Sequence, residues 1–154
     1  SAASDVYKRQ IDNDTIACFG DKDIRLYTMV EEPKEKTVID LEGREMQGVF
    51  YNSTCVGYIA LADSGSDSKY KIYTYGSNGS QKSVVSYSDS YDKIYAAQDE
   101  IIVVGDMDCS IFRLNGSTKF KYSFPKKLVN VVPDANKEEY VVISESETQI
   151  IALK

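Results

Sequence analysis

The chain repeats one pattern of strand signals. Four runs are apolar at nearly every position: Thr15-Ile16-Ala17-Cys18-Phe19-Gly20, Cys55-Val56-Gly57-Tyr58-Ile59-Ala60-Leu61, Ile101-Ile102-Val103-Val104-Gly105 and Tyr140-Val141-Val142-Ile143. Strands buried on both faces read this way. A polar turn follows each run, and then an alternating run: Ile24-Arg25-Leu26-Tyr27, Tyr70-Lys71-Ile72-Tyr73-Thr74-Tyr75, Ser110-Ile111-Phe112-Arg113-Leu114 and Gln149-Ile150-Ile151-Ala152-Leu153. Corresponding positions lie about 39 to 48 residues apart. A further strand signal precedes the apolar run at 46–51, 93–97 and 128–132, and another follows the alternating run at 37–41, 83–87 and 119–124. Asn78-Gly79 and Asn115-Gly116 supply the positive-φ residues that a tight hairpin demands. Glu31-Glu32-Pro33-Lys34-Glu35-Lys36 has helix-forming residues, but Pro33 interrupts it and it has no apolar face, so it reads as a polar hairpin tip.

A four-strand unit with this period, apolar on its second strand and half-wetted on its fourth, is a blade of a β-propeller. The expected fold is all-β: a partial β-propeller of about four stacked antiparallel blades at 11–41, 46–87, 93–124 and 128–153, the first and last incomplete. Propellers have four to eight blades, so the expectation is a fragment of a larger ring whose N-terminal half is missing. A last blade without its outer strand is what ring closure by an N-terminal strand leaves behind.

Composition narrows the chemistry. The chain has no His, which removes Ser-His-Asp and Cys-His catalysis and the commonest zinc ligand. A net charge of −6 argues against nucleic acid and anionic membrane surfaces as partners. Cys18, Cys55 and Cys109 are odd in number and widely spaced, which suggests neither a disulfide framework nor a metal site; Cys18 and Cys55 sit inside apolar runs. No apolar run is long enough for a transmembrane helix. No cofactor is expected.

The opening Ser1-Ala2-Ala3-Ser4-Asp5-Val6-Tyr7-Lys8-Arg9-Gln10 resembles a translated sequencing-adapter read-through. Residues 1–10 are therefore expected to be a non-native or disordered tail that packs poorly. The segment Ser110-Ile111-Phe112-Arg113-Leu114-Asn115-Gly116-Ser117-Thr118-Lys119-Phe120 resembles the quinoprotein-like and WD40-like propeller repeat, with Phe120 to Phe124 standing where that repeat closes on Trp. The C-terminal part also resembles an uncharacterised family of bacterial propellers from anaerobic Gram-positive bacteria, whose members look like single-pass membrane proteins with the propeller outside the cell. The resemblance covers about residues 11–154. It implies an extracytoplasmic propeller joined to an upstream membrane anchor.

Acidic pairs recur in the turns between second and third strands: Asp21 and Asp23, Asp63 and Asp67, Asp106 and Asp108. No calcium-loop pattern accompanies them, and Asp favours turns by itself. The loops that lead from an outer strand to the next inner strand share that face and hold Arg44, Tyr87, Tyr91 and Lys126. Loops vary without disturbing blades, so these ten residues are the expected partner-binding set. Asn13-Asp14-Thr15, Asn52-Ser53-Thr54, Asn78-Gly79-Ser80 and Asn115-Gly116-Ser117 match the glycosylation sequon and read as turn chemistry. Apart from Asp40 and Glu100 at strand ends, no carboxylate sits in an apolar stretch that would raise its pKa. The expected function is a non-catalytic binding or scaffold module that meets a protein or glycan through a loop face. The alternatives are a fragment of a propeller enzyme, such as a carbohydrate-active one, and a sensor or calcium-stabilised structural domain.

Overall fold

The computed structural model describes residues 7–136 and 138–153. Fifteen strands form four antiparallel sheets, and no helix is present among the described residues. The first blade contains β1 (Tyr7–Gln10), β2 (Thr15–Phe19), β3 (Asp23–Met29) and β4 (Pro33–Asp40). The second contains β5 (Met46–Tyr51), β6 (Cys55–Leu61), β7 (Tyr70–Gly76) and β8 (Gln81–Tyr87). The third contains β9 (Lys93–Ala97), β10 (Glu100–Val104), β11 (Asp108–Arg113) and β12 (Thr118–Ser123). The fourth contains β13 (Leu128–Pro133), β14 (Glu139–Ser144) and β15 (Thr148–Ala152). Strands pair strictly in chain order within each blade, the meander of a propeller repeat.

Two features depart from the sequence reading. Tyr7–Gln10 adds a fourth strand to a blade expected to hold three, with Tyr7 opposite Phe19 and Gln10 opposite Ile16. Every residue of β1 is exposed, so main-chain hydrogen bonds rather than side-chain burial hold it. Residues 1–6 of the expected tail lie outside the described residues. The outer strand β4 also starts at Pro33, earlier than expected, which shortens the polar tip to residues 30–32. Proline is tolerated there because the first residue of an edge strand needs no ladder N–H.

Three hydrophobic clusters lie between successive blades. Phe19, Ile24 and Leu26 meet Val56, Tyr58 and Tyr75; Phe50, Ile59 and Ile72 meet Ile101, Val103 and Phe112; Ile102, Cys109 and Ile111 meet Val131, Tyr140 and Val142. Each inner blade is thus covered on both sides. Residues 55–60 of β6 and 101–104 of β10 are buried without a break, whereas β2 and β14 alternate between buried and half-buried positions. Neighbour contact on one side or on two produces that contrast.

The thiols report on this packing. Cys55 and Cys109 are buried and Cys18 is half-buried; all three are free. Burial pushes the Cys55 thiol up from its ordinary 9.0 to about 11 and that of Cys109 to about 12. At pH 8 an aromatic disulfide reagent will therefore label the native chain at Cys18 and reach all three thiols only after unfolding. Because both buried thiols ionise more readily when unfolded, their stabilisation is complete below about pH 9 and is lost as pH rises toward 11 to 12. Urea midpoints that fall across this window, and fall less in Cys55→Ala/Cys109→Ala, will check it.

Candidate functional site

The blade meander places connections on two opposite faces. One face holds the turns from second to third strand and the links between blades, where all ten expected contact residues lie. The structure gives most of them local partners. Asp23 pairs with Arg25 at 3.1 Å. Arg44 pairs with Glu42 at 2.8 Å, and its guanidinium lies 4.4 Å from the centre of the Tyr73 ring, which stacks on Tyr58. Tyr87 is 3% exposed, packs edge-on against Phe112 and donates to the Ser90 carbonyl at 3.1 Å. Tyr91 packs edge-on against Tyr70 and fills the space above Gly48, where an added Cβ would lie 2.0 Å from its hydroxyl. Asp108 accepts from Ser90 and Ser123, Asp106 lies 3.8 Å from Lys127, and Lys126 lies 3.6 Å from Glu147. Asp63 and Asp67 stay on their own polar loop. Asp21 and Arg44 line one concavity, of about 610 Å³ between the first two blades. Among the described residues no group of three or more potential metal ligands gathers.

The opposite face carries a recess of about 800 Å³ where the second, third and fourth blades meet. Its rim is polar: Thr54, Gln98, Asp99, Arg113, Asn115 and Glu138. Two hairpins are joined there. Asn52 Nδ2 and Thr54 Oγ1 both donate to the Gln98 carbonyl, at 2.7 and 2.6 Å, which links the second blade to the third. Gln98 has a φ of 55°, a left-handed conformation costly for a residue with a side chain, and these two bonds fix it. Asn52 Oδ1 also accepts from the Thr54 and Cys55 backbone N–H groups, so this sequon asparagine holds its own turn as well as the link to the third blade.

The floor is an ion pair within the third blade, joined by a tyrosine of the fourth. Lys119 Nζ of β12 donates to Glu100 Oε2 of β10 at 2.5 Å and to the Tyr140 hydroxyl of β14 at 2.9 Å. Tyr140 in turn donates to Glu100 Oε1 at 2.5 Å. The Lys119 and Glu100 side chains are 10% and 14% exposed, and Tyr140 is buried. Burial works against the Lys119 ammonium, but hydrogen bonds to Glu100 and Tyr140 outweigh it and raise its pKa above the ordinary range. Burial, followed by the Glu100 hydrogen bond, pushes the Tyr140 phenol up to about 12. The triad is therefore a closed, charge-balanced brace with its protons held in place. Arg113 is different: its guanidinium reaches only Ser117 Oγ and the Thr118 carbonyl, each at 3.5 Å, and forms no ion pair among the described residues.

Sequence reasoning looked to the other face. The one local signal for the recess was Glu100, a carboxylate bordering an apolar run. Its partners lie 19 and 40 residues farther along the chain.

No curated protein matches the sequence. The fold is similar to several solved structures. The WD40 domain of SCAP from fission yeast superposes with a TM-score of 0.62 at 13% identity, over 97% of this chain and 42% of that one. BBS1N, solved in complex with ARL6DN, gives 0.61 at 14% identity over 97% and 50%. BamB from Moraxella catarrhalis gives 0.57 at 10% identity over 94% and 42%. The chain spans half or less of each of these structures, and the likeness establishes a propeller-type arrangement of blades. A sequence profile matches residues 8–153, nearly the whole repeat array: the chain belongs to the family of unknown function DUF5711.

Proposed function

We propose that this chain is a non-catalytic scaffold of an extracytoplasmic propeller, and that it binds a protein segment in the polar recess beside Arg113. The observation that carries this is the recess itself: a wide concavity on a charge-balanced floor, with a guanidinium that has no carboxylate partner among the described residues. Arg113 suits a partner carboxylate, while Asp99 and Glu138 offer places for a partner cation. BBS1N, of similar fold, is solved with a protein bound. The directions in which groups are shifted support a non-enzymatic role: the lysine is held charged, and the phenol and buried thiols are held neutral. None is poised as a base or nucleophile near neutral pH.

A photo-crosslinking residue placed at Ser53 on the recess, in the native full-length product, tests the reading against the same residue at Asp67 on the other face. The expected result is a discrete adduct from position 53 that Arg113→Glu removes. Adducts from position 67 alone would overturn the choice of face. Labelling of intact cells with a membrane-impermeant amine reagent tests location, and complete protection of the propeller would refute an extracytoplasmic site.

A further inference from the structure

Two asparagines of the chain precede a glycine, Asn78 and Asn115. An Asn-Gly step can deamidate without an enzyme, because no side chain shields the glycine nitrogen from the asparagine carboxamide. The glycine nitrogen gives up its proton and attacks Cγ; the N–Cγ bond forms, the Cγ–Nδ2 bond breaks and ammonia leaves. Water then opens the cyclic imide at either carbonyl, leaving aspartate or isoaspartate and one new negative charge. The glycines are not exchangeable. They take positive φ, 86° at Gly79 and 89° at Gly116, and an added Cβ would lie 2.2 Å from Thr37 Cγ2 at the first and 3.0 Å from Ser83 Cβ at the second. The fold therefore keeps a labile step in the outer hairpins of the second and third blades.

The closed hairpins hold that step in check. Gly79 N–H donates to the Gly76 carbonyl and Gly116 N–H to the Arg113 carbonyl, each at 2.9 Å, so the attacking nitrogen keeps its proton in a turn bond. Asn78 and Asn115 take the third position of these turns without positive φ, which makes the turns type I. In that position ψ is about 0°, and ring closure needs the Asn-Gly peptide rotated well away from this value. The carboxamides are clamped as well. Asn78 Oδ1 accepts from Ser80 N–H at 3.1 Å and Ser80 Oγ at 2.8 Å; Asn115 Oδ1 accepts from Ser117 N–H at 3.0 Å and Ser117 Oγ at 2.8 Å.

The two turns differ in the residue that closes them, Gly76 in the second blade and Arg113 in the third. Arg113 Nη1 lies 3.5 Å from Ser117 Oγ, the hydroxyl that donates to Asn115 Oδ1. One hydroxyl thus separates the guanidinium from the group that deamidation charges, and Asn115 lines the recess together with Arg113. We propose that Asn115-Gly116 is a one-way switch: protected while its hairpin is closed, deamidated when the hairpin opens, and then carrying a carboxylate that takes up Arg113. Asn78-Gly79 undergoes the same reaction with no guanidinium in its turn to capture. The loss of partner binding that would follow rests on the recess reading above; the reaction and the capture do not.

Peptide mapping by mass spectrometry follows both asparagines while the full chain is incubated in mildly alkaline buffer, with and without concentrated urea. Conversion is expected to be at least about tenfold slower in the native chain, because the hairpin must first open. Equal rates in the two conditions would sink the gating. Asn115→Asp then supplies the charge directly, and Asn78→Asp, in the equivalent turn, controls for the substitution itself. Arg113 is expected to react several-fold more slowly with a dicarbonyl arginine reagent in Asn115→Asp than in the wild type, and at the wild-type rate in Asn78→Asp. Unaltered Arg113 reactivity in Asn115→Asp would overturn the capture. Both measurements use the chain alone, so a missing partner adduct counts against the recess and leaves the switch standing.

Discussion

Lys119→Met will destabilise the chain by about 3–5 kcal/mol, the cost of leaving one member of a buried ion pair without its partner. The variant leaves the Glu100 carboxylate between blades, 14% exposed, with the Tyr140 hydroxyl as its remaining partner in the triad. Glu138, 3.7 Å from the ammonium and well exposed, loses little. The size of the effect comes from desolvation, because an exposed pair would be worth less than about 1 kcal/mol. The triple variant Lys119→Met/Glu100→Met/Tyr140→Phe should recover most of the loss, since an apolar set of similar volume removes the charges along with their hydration cost. Urea unfolding of the three chains decides the matter. A Lys119→Met loss of under about 1 kcal/mol would show that water screens the triad.

Gly57→Ala is the second large effect expected, at about 1–3 kcal/mol from overpacking. Gly57 lies at the middle of β6, opposite Phe50 on β5 and Thr74 on β7. An added Cβ would lie 2.2 Å from Phe50 Cζ and 2.2 Å from the Tyr73 carbonyl oxygen. The ring can turn away, but the carbonyl belongs to the neighbouring strand and cannot move without disturbing the ladder. Gly57→Ala/Phe50→Leu should therefore recover only the part of the loss due to the ring. At this chain length each kcal/mol shifts the melting temperature by about 2–4 °C, so the series is readable by thermal melting. A wild-type melting temperature in Gly57→Ala would mean that the strand yields where the coordinates leave no space.

The elements that were legible in the sequence carry local signals. The runs at 55–61 and 101–105 are apolar throughout, and their buried stretches follow that pattern. Asn78-Gly79 and Asn115-Gly116 forecast hairpins, and both glycines take positive φ, 86° and 89°. What escaped reading had no such signal. Tyr7-Lys8-Arg9-Gln10 has neither alternation nor buried side chains, so nothing in it announces a strand. Pro33 hid the start of β4 because proline marks a break everywhere except at a strand's edge or first residue. The recess went unread because, Glu100 apart, its polar residues are ordinary turn and strand-end positions of separate segments.

Side-chain alternation and turn stereochemistry act between near neighbours in the chain, and they determined the strands and the blade repeat, while composition alone removed catalytic histidine chemistry. The spacing between stacked sheets acts at distances that no two-residue period encodes. It was the tertiary structure that brought Glu100, Lys119 and Tyr140 from two blades into one brace. It also decided that Thr15–Phe19 and Glu139–Ser144, apolar enough to be covered on both faces, are covered within this chain on one.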